Sequence, residues 1–421
     1  MSKPIGPIPE GYEALYGELA IGSRKASDLV AEAGRTPVFV YSRAHLDARM
    51  ASLREVLPDR IGVNYAIKAN PHEGVLSHMA ALVDGFDIAS SGELALALSI
   101  GLDPKRVSFA GPGKRDEELE AAIGAGVTLN CESEGEAERA LALADRVGTA
   151  PRIALRVNPD FELKGSGMKM GGGAKPFGVD AERVPSLAKY VIDRGAEWRG
   201  LHIFTGSQTL SSDAIIEAQS NVLELATELT DQIGSPLPKL NMGGGFGIPY
   251  FPKDTPLDLR AVGDALSDMV ADLPDALNKT ELCLELGRYL VGEAGVYLCR
   301  VIDHKVSHGV TYLVTDGGLH HQLAASGNFG TVVRRNYPVA VATNYGAEAT
   351  DEVNVVGCLC TPLDRLADAA ALPPADVGDL IAVFCAGAYG ASASPSAFLG
   401  HGPAAEILIN LTDCVRLLGF P

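Results

Sequence analysis

Val63-Asn64-Tyr65-Ala66-Ile67-Lys68-Ala69-Asn70-Pro71 closes an apolar, β-favouring run on a single lysine and then breaks at Asn-Pro. A long cation at the end of a buried strand is costly unless it is paired or used covalently. Two readings of Lys68 stand open at this point. One is a strand-end lysine whose stem snorkels its charge to water. The other is a desolvated amine of lowered pKa, suited to a Schiff base with an aldehyde. The nine residues weigh the two evenly.

Working outward, this run is the first of eight short apolar stretches separated by amphipathic ones between about residues 60 and 290. The strand-like runs are Gly62–Ile67, Gly85–Ile88, Val107–Ala110, Val127–Asn130, Arg152–Val157, Gly200–Phe204, Lys239–Met242 and Leu282–Glu285. Helical patterns such as Glu134–Val147 and Asp213–Ile233 lie between them. Eight β-then-α units predict an α/β fold with a parallel (β/α)8 TIM barrel, ahead of an open doubly wound sheet. After Arg288 the texture turns to short β-rich runs split by turn residues, from Val296–His308 to Ala405–Leu411. That predicts a second, mostly antiparallel β domain. The early run Pro37–Tyr41 is a candidate to join it. The division expected is a barrel over residues 44–286 and a β domain from residues 1–43 and 287–421. The glycine-rich basic segment Lys164–Lys175 reads as a mobile loop over the barrel mouth.

The bulk properties narrow the partners. A net charge of −18 disfavours nucleic acid and anionic membranes. No basic-then-apolar leader opens the chain, and no apolar run approaches the roughly 18 residues that span a bilayer. Seven scattered cysteines suit free thiols in a reducing cytoplasm. Cys358 and Cys360 lack a second spaced pair, and His320-His321 reads as polar packing, so no metal is expected.

Closing a barrel brings the C-terminal strand ends around one cavity. Here those ends carry Lys68, Ser90-Ser91, Gly111–Lys114, Glu132-Ser133, Arg156–Asn158, Phe204–Gln208, Gly243–Gly245 and Glu285–Arg288. Consecutive glycines at 243–247 offer backbone N–H groups clear of side chains, a cradle for phosphate or simply a tight turn. Gly206-Ser207 adds a hydroxyl. Glu285 needs a cationic partner if buried: a protonated pyridine nitrogen, or Arg288 three residues on.

Taken together, YAIKANP (Tyr65–Pro71), GFDIASSGEL (Gly85–Leu94), RVNPD (Arg156–Asp160), KPFGV (Lys175–Val179), GLHIFTGSQ (Gly200–Gln208), GGGFG (Gly243–Gly247), ELGRYLVGEAG (Glu285–Gly295), GCLCTPLD (Gly357–Asp364) and GAYGASAS (Gly387–Ser394) resemble the group III, alanine-racemase-like pyridoxal-phosphate decarboxylases, typified by diaminopimelate and ornithine decarboxylases. The resemblance implies pyridoxal 5'-phosphate as cofactor, with Lys68 as its Schiff-base lysine and Glu285 at the pyridine nitrogen. It implies Ser207, Gly243, Gly244, Gly245, Gly287, Arg288 and Tyr389 as further cofactor-binding residues, the phosphate ligands among them. Cys360 would be the acid that returns a proton after CO2 departs, reaching the site across a homodimer.

Three departures bear on the substrate. Phe204 stands where the family usually stacks a histidine on the cofactor, so His202 is not given that role. Thr361 replaces the acidic residue that grips a distal amino group, and threonine cannot neutralise a cation. His401-Gly402-Pro403-Ala404 replaces a late basic motif. With FLGH (Phe398–His401), these features are similar to a divergent branch that includes exosortase-associated and glutamyl–carrier-protein decarboxylases. The expected activity is removal of the α-carboxylate from an amino acid or a carrier-bound glutamyl unit, with a diaminopimelate decarboxylase as the alternative. Thr361, His401 and Arg334 are candidate substrate contacts. Lys164, Lys169, Lys175, Arg334 and Arg335 are candidates for a carrier-docking patch, set against ordinary surface charge. An amino-acid racemase is disfavoured by the C-x-x-x-D segment Cys360 to Asp364, and an inactive regulatory homologue by the presence of Lys68, Glu285, Arg288 and Cys360.

Overall fold

The computed structural model describes residues 2–327 and 335–410. They form two compact units. One holds Met50–Ile248 and Pro256–Gly287; the other holds the chain up to Arg49, Pro249–Thr255, and the chain from Arg288 onward.

In the first unit eight parallel strands close on themselves: Ile61–Ala66, Gly85–Ile88, Val107–Phe109, Thr128–Cys131, Arg152–Asn158, Glu197–Ile203, Lys239–Asn241 and Glu281–Leu286. The eighth pairs with the first, Leu282 opposite Ile61 and Leu286 opposite Tyr65. All eight expected strands are present and closed, with boundaries shifted by at most three residues. Both faces of these strands are covered, which is why they read as near-continuous apolar runs.

The surrounding helices start and stop where short polar residues and glycine dictate. Ser90, Ser133, Ser211 and Asp258 each accept a backbone N–H of the turn they open, a cap of about 1 kcal/mol apiece. Gly126, Gly148 and Gly234 end three helices in the left-handed conformation. The longest helix, Ser212–Ile233, buries Ile215, Val222, Ala226, Leu229 and Ile233 on one stripe.

The second unit is built on the long strand Gly295–Ser307, which pairs antiparallel with Val38–Ser42, Val310–Thr315 and Leu380–Val383. Ala405–Ile409 lies parallel to Val38–Ser42, and Asp351–Val356 parallel to Val310–Thr315. The sheet is otherwise antiparallel, as expected, and the early run does join it. Its core packs Val38, Val40, Val296, Leu298, Ala382 and Phe384 against Leu19, Ile21 and Leu29. Arg365–Leu372 is a strand that the sequence hides, because its alanines carry no β preference; pairing with Asp351–Val356 makes it one.

The segment Lys164–Lys175, expected as a mobile loop, carries backbone pairing at its centre. Met168–Lys169 pairs antiparallel with Gly206–Ser207. Gly167 N donates to Ser207 O at 2.9 Å and Met170 N to Thr205 O at 3.1 Å. Among the described residues no helix is long and apolar enough to cross a membrane.

Candidate active site

Lys68 sits on the helical turn Ile67–Ala69 that follows the first barrel strand, two residues beyond the strand end. Its side chain is 45% exposed, with Nζ 3.5 Å from Glu285 Oε1 and 5.9 Å from the centre of the Phe204 ring. The amine is therefore neither sunk in the core nor splayed to bulk water. It stands at the mouth between a carboxylate and an aromatic face.

Glu285 is buried, and its second oxygen faces His202 Nε2 at 2.9 Å. An ionised carboxylate only accepts, so the imidazole donates through Nε2. Burial alone would raise the Glu285 carboxyl; the Lys68 charge and then His202 overcome it and hold it down at about 2. Arg288, the alternative partner read from the sequence, does not take this role. In the second unit it donates to Tyr250 OH at 2.8 Å and lies over the Tyr250 and Tyr389 rings. These tyrosines hold the Arg288 guanidinium protonated despite the desolvation of its site.

Asp87 is a second buried carboxylate in the barrel. Burial first, and then the Glu285 charge, push it up to about 6, against the hydrogen bonds from Ser108 and Asn64. Asp87, Asn130, His202 and Glu285 are the penultimate residues of the second, fourth, sixth and eighth strands. Alternate strands of such a barrel contribute the side chains of one interior layer, and here that layer is polar. Ser108 joins it by donating to Asp87 and accepting from Asn130. The roles of Asp87 and His202 were missed because attention fell on the residues that follow each strand, and on the second and sixth strands these two stand one residue before the end. The available signal was period two: His202 shares a strand face with Phe204.

Other strand-end residues turn inward to hold the scaffold. Arg156 Nη1 meets Glu132 Oε1 at 2.9 Å with both side chains buried, and Glu132 also accepts from Gly111 N and Gly178 N. Lys114 is buried, bound to Glu136 at 2.6 Å and to the carbonyls of Gly111 and Asn130.

The three glycines after the seventh strand are demanded by geometry. Gly243 and Gly245 have φ of 67° and 89°, and a Cβ on Gly244 would lie 2.2 Å from the carbonyl oxygen of Glu285. Gly287 is tight as well, a Cβ there meeting Ala69 Cβ at 3.0 Å. Ser207 is the independent sign of a polar ligand: its Oγ is buried and, among the described residues, has no hydrogen-bond partner. A hydroxyl left so is expensive, and a phosphate oxygen would satisfy it. The residues present fit that group.

In the second unit Cys360 is exposed on the turn Gly357–Asp364. Asp364 anchors this turn by accepting Leu319 N at 2.6 Å and Leu359 N at 2.8 Å. Gly318 and Gly357 leave room for it, since a Cβ on either would fall within 2.2 Å of its carboxylate. The C-x-x-x-D spacing is thus a loop clamp. Thr361 is half-buried beside Cys360 and accepts from Leu363 N at 3.3 Å. His401 is exposed, beside Cys358 and the ring of His320. Arg334 lies outside the described residues. Of the candidate basic patch, Lys164 is bound to Glu217 at 2.6 Å and Arg335 covers the Phe251 ring at 3.7 Å.

Comparison with known proteins bears on this constellation. Residues 43–292 match the pyridoxal-binding domain of the pyridoxal-dependent decarboxylases. The chain is 35% identical over 383 residues to the L-glutamyl-(BtrI acyl-carrier protein) decarboxylase of Niallia circulans, covering 89% of this chain and 88% of that one. It is 33% identical over 397 residues to the diaminopimelate decarboxylase of Archaeoglobus fulgidus, covering 94% and 92%. Among solved structures, diaminopimelate decarboxylase from Helicobacter pylori complexed with L-lysine superposes with a TM-score of 0.80 at 26% identity, covering 93% of this chain and 99% of that chain. With these likenesses the chain belongs to the pyridoxal-dependent decarboxylases.

Proposed function

We propose that this decarboxylase carries pyridoxal 5'-phosphate on Lys68 and acts on a glutamyl unit thioester-linked to a carrier protein, in preference to free diaminopimelate. The observation that carries the substrate choice is Thr361, a neutral residue next to the exposed Cys360. A substrate with a distal ammonium group needs a carboxylate there; a carrier-linked glutamate has no such cation. The likeness to the Niallia circulans enzyme supports the same reading.

When bound, pyridoxal 5'-phosphate supplies the electron sink that lets CO2 leave. The chain does the rest. Lys68 would hold the cofactor through its Nζ as a Schiff-base lysine. Glu285, oriented by His202, would face the pyridine nitrogen and favour its protonated form. Phe204 would pack against the ring, and Ser207 with Gly243–Gly245 would hold the phosphate. Arg288 and Tyr389 are proposed as further anion ligands. Cys360 donates its Sγ proton to the carbon that has lost CO2, serving the site of the other subunit in a cytoplasmic homodimer.

Incubation with glutamyl-loaded carrier protein, free glutamate, ornithine, lysine and diaminopimelate, with CO2 release measured, tests the substrate. Ordinary turnover of free diaminopimelate or ornithine refutes the reading of Thr361. No release from any of them points to a regulatory homologue. Lys68→Ala is expected to lose the cofactor's near-visible absorbance band and to slow turnover by at least about a thousandfold.

A further inference from the structure

His320, Cys358 and His401 come from three separate segments of the second unit, and one ligand-capable atom of each lies within 4.8 Å of the others. Both ring nitrogens of the exposed His401 stand about equally far from Cys358 Sγ, at 3.9 and 4.0 Å. His320 is completely buried, and among the described residues neither its Nδ1 nor its Nε2 has a hydrogen-bond partner. That is an unusual cost for an imidazole. Its neighbour shows the contrast: His321 is met by Tyr297 OH at 3.1 Å and Gly402 O at 2.9 Å.

The imidazole that ligates a metal is the neutral form with one ring nitrogen's lone pair free, and the buried His320 ring, with neither nitrogen engaged among the described residues, can offer one.

We propose that His320, Cys358 and His401 form a binding site for a borderline-soft divalent cation of the Zn2+ class. Two nitrogens and one thiolate match zinc in kind, and three protein ligands leave a fourth position for water. Zn–N bonds of about 2.0 Å and Zn–S bonds of about 2.3 Å bring the donors closer together than they stand here. Rotation of the exposed His401 ring, which must present one nitrogen, supplies part of that contraction. Binding forms a metal–sulfur bond and releases the thiol proton to solvent, with no change of oxidation state. Cys358 lies two residues before Cys360, so the cation pins the turn that carries Cys360. Sequence spacing hides such a site, because no two of the ligands share a segment.

The test uses untagged full-length protein exposed to Zn2+ and dialysed free of excess. Elemental analysis is expected to find about one zinc per chain, and Co2+ loading to give a thiolate-to-cobalt band. Cys358→Ser and His401→Gln are each expected to weaken affinity by more than about tenfold and to remove the band. Cys360→Ser is expected to keep both. Circular dichroism and bound-cofactor absorbance confirm that each variant is folded. Wild-type protein that retains no zinc and shows no cobalt–thiolate band overturns the proposal, as does a band lost in Cys360→Ser but kept in Cys358→Ser.

Discussion

His202 Nε2 stands 2.9 Å from Glu285 Oε2, although 83 residues separate them in the chain. They occupy the sixth and eighth strands, which flank the seventh, so strand pairing and the inward curl of the sheet bring them into one layer. The imidazole makes an ionised carboxylate affordable where water is excluded. His202 is therefore a positioning residue for Glu285.

Replacing His202 with Phe leaves one buried carboxylate oxygen without its donor. The expected cost is about 1–3 kcal/mol, read as a lower urea midpoint. Cofactor affinity should fall too, with His202→Gln restoring part of it because an amide still donates. Equal stability and cofactor affinity in His202→Phe and wild type would remove His202 from this role.

The two buried carboxylates should respond to pH in opposite senses. Glu285 is held at about 2, below its ordinary 4.5, so its contribution is present above pH 4.5 and is lost as pH falls toward 2. Asp87 is raised from 3.8 to about 6, so its contribution is present below 3.8 and is lost as pH rises through 6. Asp87→Asn should therefore gain stability relative to wild type between pH 4 and 7, by up to about 3 kcal/mol. Denaturant titrations at the two pH values measure the difference; a pH-independent difference would contradict it.

Gly244→Ala and Ser207→Ala should separate scaffold from ligand. A Cβ on Gly244 meets the Glu285 carbonyl, so that variant should lose about 1–3 kcal/mol of stability and distort the eighth strand. Ser207→Ala removes a hydroxyl with no partner in the barrel, so apo stability should hold or rise. Its cofactor Kd should rise by about tenfold, the weight of one hydrogen bond. Unchanged cofactor affinity in Ser207→Ala would place the phosphate elsewhere.

Asp364→Ala takes the acceptor from Leu319 N and Leu359 N and should loosen the Cys360 turn at a cost of about 1–3 kcal/mol. If Cys360 is the proton donor, Cys360→Ala should lower product formation by about 10²–10⁴-fold. Asp364→Ala should lower it less, in the same step. Product analysis by mass spectrometry in D2O reads both. Wild-type turnover in Cys360→Ala would exclude the thiol as the acid.

Much of the molecule was legible in one dimension. Strands buried on both faces write continuous apolar runs, so eight strands and the order βαβα followed directly, and glycines with positive φ mark turns wherever they fall. Lys68, Glu285 and Gly243–Gly245 were legible for the same reason: each follows or ends such a run. Arg365–Leu372 was not, since an alanine-rich strand exists only through its partner.

By itself the sequence determined the barrel, the β domain, and the lysine and carboxylate at the barrel mouth, because those follow from local pattern. Only the tertiary structure decided that Glu285 answers to His202 rather than Arg288, that Asp87 shares its layer, that Asp364 clamps the cysteine turn, and that His320, Cys358 and His401 meet. Each of these is a pairing across distant segments, and the physical cause is closure: a polar group removed from water must find its partner among the groups that folding brings next to it.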